Sequence, residues 1–238
     1  MSARDAIFRS IRNSLGVSGH EAPRIKAVAD RLSEHPSGVL PRRGQLPAKE
    51  RVALFMSMVE AAAGSVASVD AIADVPAAVG AFLRQHDLPL AVRCGADAVL
   101  AAAPWAHEAA LQVTTGPSDG RQLAAVSRAF AGVAETGTVV LTSGADNPTT
   151  LNFLPDNHIV VIEAKHIAGD YETVFARLRR TYGAGRLPRA VNLITGPSRS
   201  ADIEQTLILG AHGPRRLHVI VVGKPGSRAG TRRPAAPR

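Results

Sequence analysis

Two short segments carry the residue types from which a binding or catalytic site could be built. The first is Ala134-Glu135-Thr136-Gly137-Thr138, a lone carboxylate ahead of a Thr-Gly-Thr turn and an apolar β-branched run. In that position Glu135 suits a general base, a nucleophile or an acceptor for a ligand hydroxyl, with Thr136, Gly137 and Thr138 as neighbouring ligand contacts. The competing reading is a carboxylate that accepts the N–H and hydroxyl hydrogens of its own turn. The second segment is Gly196-Pro197-Ser198-Arg199, continued through Ser200, Asp202 and Glu204 and followed by His212-Gly213-Pro214. Gly196 permits close backbone approach and Pro197 stiffens the turn. Ser198 or Ser200 can cap a helix expected over 200–209, whose free N–H groups would hold a carboxylate or phosphate. Asp202 and Glu204 in its first turn complement the helix dipole and repel an incoming anion, a repulsion that Arg199 offsets. Structural capping and ligand binding are both open readings of this segment.

Between the two lies a polar loop in which Thr142 and Asn147 are the binding candidates, beside Ser143, Asp146, Thr149, Thr150 and Asn152. Such a composition suits either a hydrogen-bonded turn or a polar pocket wall. His212 sits in a glycine-bounded turn, where a ligand contact competes with a histidine that stabilises a helix end. The histidines form no HxH or HExxH spacing, so no metal site is expected. The chain contains no GxGxxG, GxxxxGK[ST] or GxSxG, which removes the main support for dinucleotide, P-loop and esterase readings.

The elements that must position these residues alternate along the chain. Helices are expected at 49–63, 75–86, 96–103 and 170–182. Strands are expected at 65–69, 88–93, 110–114, 138–142, 158–163, 190–195 and 217–222. Short strands alternating with helices point to an α/β fold, a mostly parallel sheet with helices on both faces. Ligands in such sheets sit beyond the carboxyl ends of the strands, and that rule selects the loops after Thr142 and Thr195. Residues 1–47 read as an N-terminal helix, with Ile7, Ile11 and Leu15 on one face, and a Pro/Gly-rich extended arm. Residues 48–223 read as the α/β domain, and 224–238 as a disordered basic tail.

Composition narrows the function classes. At 238 residues and 45% hydrophobic the chain can bury a substantial core. Its single cysteine, Cys94, excludes a disulfide framework and cannot supply the thiolates of an iron–sulfur cluster. The net charge of +8 invites a nucleic-acid reading, but Lys and Arg collect in the first 50 and last 15 residues and leave the body nearly neutral. Specific nucleic-acid binding is therefore not expected. No apolar run reaches membrane-spanning length, and the start lacks the apolar centre of a secretory signal, so a cytoplasmic location is expected. The basic, amphipathic start also has the look of a mitochondrial transit peptide, a reading that a helix packed on the body makes unnecessary.

Taken together, AETGTVVLTSG at 134–144, LPDNHIVVIEA at 154–164 and TGPSRSADIEQTLILGAHGPRRLHVIVV at 195–222 resemble the bacterial lactate-utilisation protein C family, also called the LUD-domain family. The resemblance implies a fold similar to the ribose-phosphate isomerase, glucosamine-phosphate deaminase and CoA-transferase group. It implies a non-redox role in oxidising L-lactate to pyruvate beside cysteine-rich and iron–sulfur subunits, which would carry the clusters. Family positions fall on Glu135 to Thr138, on Gly196, Pro197, Ser198, Asp202 and Glu204, and on Gly210, His212, Gly213 and Pro214. Ser127-Arg128-Ala129-Phe130 departs from the more polar stretch expected there. The alternative is a stand-alone enzyme of the same fold acting on a small anionic metabolite, with Glu135 as base or nucleophile.

Overall fold

The computed structural model describes residues 2–183, 185–200, 208–210 and 212–223, without the side chains of Ser200, Ile208 and Leu209. The chain divides into two units, Met1–Leu40 and Pro41–Arg238.

The first unit contains two helices, α1 (Ala3–Leu15) and α2 (Ala22–Glu34). The sequence suggested only the first. Ser2 and Asp5 form a capping box at the start of α1, and Gly16 closes it in the left-handed conformation. Pro23 opens α2, where a missing N–H costs nothing.

The second unit follows the order α3 (Ala48–Ala61), β1 (Ser65–Val69), α4 (Val75–Gln85), β2 (Ala91–Cys94), α5 (Ala98–Ala101), β3 (Gln112–Thr115), β4 (Ala124–Arg128), β5 (Ala131–Val133), β6 (Thr138–Thr142), α6 (Thr150–Phe153), β7 (Asn157–Glu163), β8 (Ile167–Ala168), α7 (Tyr171–Tyr182), β9 (Val191–Ile194), β10 (Arg199–Ser200), β11 (Ile208–Leu209) and β12 (Arg216–Val222). Six strands form a parallel sheet in the order β1-β12-β7-β4-β2-β3. This is the expected α/β fold.

Apolar residues on alternating sides of β7 and β12 bury both faces of this sheet. Ile159, Val161, Ile220 and Val222 pack against Val75, Val79, Phe82 and Leu83 of α4. Val160, Ile162, Val219 and Val221 pack against Val52, Phe55 and Val59 of α3 and against Val139 and Leu141 of β6. Helices therefore cover both faces, as expected, and the second face also meets another sheet.

The additional sheet has the order β8-β5-β6-β9; β5 and β9 both run antiparallel to β6. Its far side is covered by Val174 and Leu178 of α7. Strands β6 and β9 were expected in the parallel sheet. Because they are antiparallel here, with Thr142 opposite Val191 and Val139 opposite Ile194, the loops after Thr142 and Thr195 leave opposite ends of their sheet. The carboxyl-end rule for parallel strands does not bring those two loops together.

Candidate functional site

Both chemistry-bearing segments converge on the carboxyl end of α3. Strands β5 and β6 form a hairpin in which Val133 faces Thr138, so residues 134–137 make the turn. Gly137 closes it at φ +68°, and a Cβ there would lie 2.4 Å from the backbone nitrogen of Val59. Only glycine satisfies both the left-handed backbone and that contact. Gly196 repeats the arrangement: at φ +70° its Cβ would lie 2.2 Å from the carbonyl oxygen of Ala62. Arg199 then donates to that same oxygen at 2.6 Å. A cation at the end of α3 complements the partial negative charge of its unpaired carbonyls.

A hydroxyl cluster joins the segments laterally. Thr138 Oγ1 lies 2.7 Å from Thr136 Oγ1, 2.7 Å from the Tyr171 hydroxyl and 2.6 Å from Thr195 Oγ1. Thr138 is fully buried, so each exchange replaces a hydrogen bond that water can no longer supply. The threonines thus bond one another and Tyr171 instead of Glu135. Glu135 is 4% exposed, and no described residue donates a hydrogen bond to its carboxylate. A carboxylate satisfied by its own turn is not what forms.

The loop at 196–199 and the turn at 212–214 are fastened face to face. Ser198 N–H donates to the Pro214 carbonyl at 2.8 Å, and Gly210 N–H to the Ser198 carbonyl at 3.0 Å. Arg199 and Ser200 are extended and pair antiparallel with Leu209 and Ile208. The helix expected over 200–209 is therefore corrected at both ends. Ser198 spends its backbone groups on partners across the chain and does not cap a helix. Asp202 and Glu204 lie outside the described residues.

The two segments enclose a cavity of about 300 Å³, with Gly196, Pro197, Ser198 and Arg199 on one side and His212 and Gly213 on another. His158 and Asn152, from the start of β7 and from α6, also line it and are fully buried. His158 Nε2 lies 3.1 Å from Ser127 Oγ, and that hydroxyl donates to Asn152 Oδ1 at 3.3 Å. With its hydrogen spent on Asn152, Ser127 can only accept from His158. The neutral ring then carries its hydrogen on Nε2 and a bare lone pair on Nδ1. Burial pushes the His158 pKa down to about 3, which keeps the ring neutral. Among the described residues, His158 Nδ1 and Asn152 Nδ2 have no hydrogen-bond partner, and both are closed to solvent behind the cavity wall.

The structure thus gathers Thr136, Gly137, Thr138, Gly196, Pro197, Ser198 and Arg199 around one helix end, and places His212 and Gly213 across the cavity. It does not bring Thr142 and Asn147 there. They lie at the other end of β6, where Asn147 Nδ2 donates to the Thr142 carbonyl and the turn packs on Gly95. Glu135 is not among the residues lining the cavity. Sequence reasoning missed Tyr171, Thr195 and His158 as parts of the site, and named Asn152 only among the polar residues of a loop that could form a pocket wall. The one available signal was a histidine opening an otherwise apolar strand. Ser127 belongs to this buried network, and its neighbour Arg128 ends β4 in a double contact to Asp97 at 2.9 and 3.0 Å.

Comparison with known proteins places this geometry in a family. The LUD domain matches residues 52–222. The "Lactate utilization protein C" of Geobacillus sp. (strain WCH70) is 43% identical over 91 residues, 38% of each chain. That of Shouchella clausii (strain KSM-K16) is 39% identical over 90 residues, 38% of this chain and 39% of the other. The chain spans about two-fifths of the length of these curated relatives. A crystal structure of a DUF162 family protein from Deinococcus radiodurans is similar at a TM-score of 0.53 and 25% identity, covering 75% of this chain and 99% of that one. The shared α/β fold and a domain match that takes in both the hairpin turn and the 196–214 cavity lead to one statement: this chain belongs to the LUD domain family.

Proposed function

We propose that this chain is a non-redox subunit of a system that oxidises L-lactate to pyruvate, working beside cysteine-rich and iron–sulfur subunits. The curated relatives' names support the lactate role. Cys94 is the sole cysteine, is buried, and has its thiol pushed up to about 12 by burial. A cluster needs several accessible thiolates, so these residues do not fit one, and the clusters are assigned to the partners.

The observation that carries a ligand-binding role is the unpaired couple behind the cavity wall. His158 Nδ1 is a bare acceptor and Asn152 Nδ2 a free donor. A 2-hydroxy acid offers the complement, a hydroxyl that donates and a carboxylate that accepts. Entry requires the wall to part, since both atoms are sealed in the present conformation. Pairing them on binding removes two buried orphans, each worth about 1–3 kcal/mol.

Calorimetric titration of the purified chain with L-lactate tests this. Saturable binding is expected, and Asn152→Leu should weaken it about tenfold or more with little change in the unfolding midpoint, because the substitution removes the unpaired donor along with the acceptor that Asn152 offers to Ser127. Unchanged binding in the variant would remove the cavity from the account. A deletion strain should fail to grow on L-lactate, and normal growth would remove the lactate role.

A second reading, a stand-alone enzyme acting on a small anionic metabolite, is favoured by Glu135, a buried carboxylate that no described residue engages. Under it, Glu135→Gln abolishes turnover and leaves the unfolding midpoint unchanged. A fall in the midpoint instead marks Glu135 as structural.

A further inference from the structure

A second cavity, of about 380 Å³, opens between the segment at 44–46, the loop that follows β7 and one side of α7. It lies past the carboxyl end of a central parallel strand, the position where α/β sheets place their ligands. None of the residues singled out from the sequence lines it.

Its walls are cationic. Arg51, Lys165, Arg177 and Arg180 face the space, against Asp170 as the one carboxylate among the described lining residues. Asp170 is already engaged. It accepts from Gln45 Nε2 at 2.8 Å and from Thr173 N–H at 2.7 Å, with Thr173 Oγ1 at 3.1 Å. Among the described residues, only Lys165 of these cations is paired, to Glu163 at 2.5 Å. Arg51 is aimed by carbonyls, donating to Ile167 at 3.0 Å and Leu46 at 3.4 Å, which fixes the guanidinium without neutralising it. Arg177 lies over the Phe130 ring at 4.6 Å. Neither Arg177 nor Arg180 forms an ion pair with a described residue.

The surroundings feel this excess of charge. Arg177 is drawn below the usual arginine range by burial and then by Arg128 and Arg180, with Glu163 opposing. His166, on the same wall, is pushed down to about 4 by burial and then by Arg177. Like charges held together around the half-buried Arg177 cost free energy unless an anion joins them.

The floor is also built for a fixed shape. Gly44 and Gly169 meet backbone to backbone, and a Cβ on either would lie 2.2 or 2.1 Å from the other's carbonyl oxygen. A side chain at either position would force these two segments apart.

We propose that this cavity binds a small metabolite bearing a phosphomonoester group. Three guanidinium groups without carboxylate partners exceed what one carboxylate could neutralise, and their planar forks match the oxygens of a phosphate dianion. The volume suits a small organic phosphate. The site is separate from the cavity between 196–199 and 212–214, with which it shares no lining residue.

Calorimetric titration of the full chain at fixed ionic strength, with glycerol 3-phosphate, inorganic phosphate and succinate as probes, tests the assignment. Glycerol 3-phosphate should bind saturably and more tightly than succinate. Arg177→Gln and Arg180→Gln should each weaken it about tenfold or more. Arg180 is exposed, so its variant should keep the wild-type unfolding midpoint and remain informative should the Arg177 variant misfold. Binding of inorganic phosphate with equal affinity would support a site for the phosphate group itself. Absence of saturable binding, succinate binding as tightly as the phosphates, or an affinity indifferent to Arg180→Gln would each overturn the proposal.

Discussion

Gly196→Ala should lower stability by roughly 3 kcal/mol or more, the combined cost of a strained left-handed alanine and an overpacked contact. The added methyl would lie 2.2 Å from the Ala62 carbonyl oxygen, at a φ of +70°. Backbone at the end of a helix cannot swing aside as a side chain can. The loop must instead withdraw, carrying Arg199 off the Ala62 carbonyl and opening the cavity. Gly185→Ala is the matched comparison: it shares a positive φ, +69°, but its Cβ would meet nothing within 4 Å. That variant should cost only about 1 kcal/mol. Denaturant unfolding of both proteins separates contact from strain, and equal losses would refute the packing of the Gly196 loop on α3.

Acid should unfold this protein well above the range where its carboxylates titrate. His158, His218 and His166 are held near 3, 4 and 4 in the folded chain, against about 6.5 for a free histidine. Burial is the leading cause for all three. His86 adds to it at His218. Arg177, Lys165 and Arg128 add to it at His166, opposed by Glu163. No charged group contributes to the shift at His158. Below pH 6.5 the unfolded chain takes up protons that the folded chain refuses. Stability from this source is therefore complete above that pH and falls as pH drops toward the folded values. With three sites the slope approaches ~4 kcal/mol per pH unit near pH 5. Unfolding free energies measured between pH 7 and 4.5 should show this decline. His218→Asn should reduce the slope by about a third, and a flat profile would mean that the three rings are not buried in the neutral form.

The parallel strands were legible because β7 and β12 are nearly continuous apolar runs, the pattern of strands covered on both sides. Strands β4 and β5 were not, since Ala124-Ala125-Val126 and Ala131-Gly132-Val133 are too short and too small to show a period. The misassignment of β6 and β9 has a related cause. A buried antiparallel strand such as Thr138–Thr142 carries the same apolar β-branched signature as a parallel one, and nothing local reports its partner's direction. The expected helix at 200–209 rested on capping chemistry that Ser198 spends elsewhere. The segments at 135–138 and 196–199 were recognisable from glycine next to hydroxyl groups. His158 was not, and Asn152 only as one polar loop residue among several, because their importance comes from what they fail to contact, a property of packing alone.

Helix α3 carries one further consequence. Its fourteen residues extend over about 21 Å, with Arg51 in the wall of the phosphate-type cavity and Val59 to Ala62 seated against the two glycine turns. Phe55 is fully buried between these ends. Arg51 lines one cavity, and Gly196, held against Ala62 just past the helix end, lines the other. The two cavities, which share no lining residue, are thus built against opposite ends of one helix.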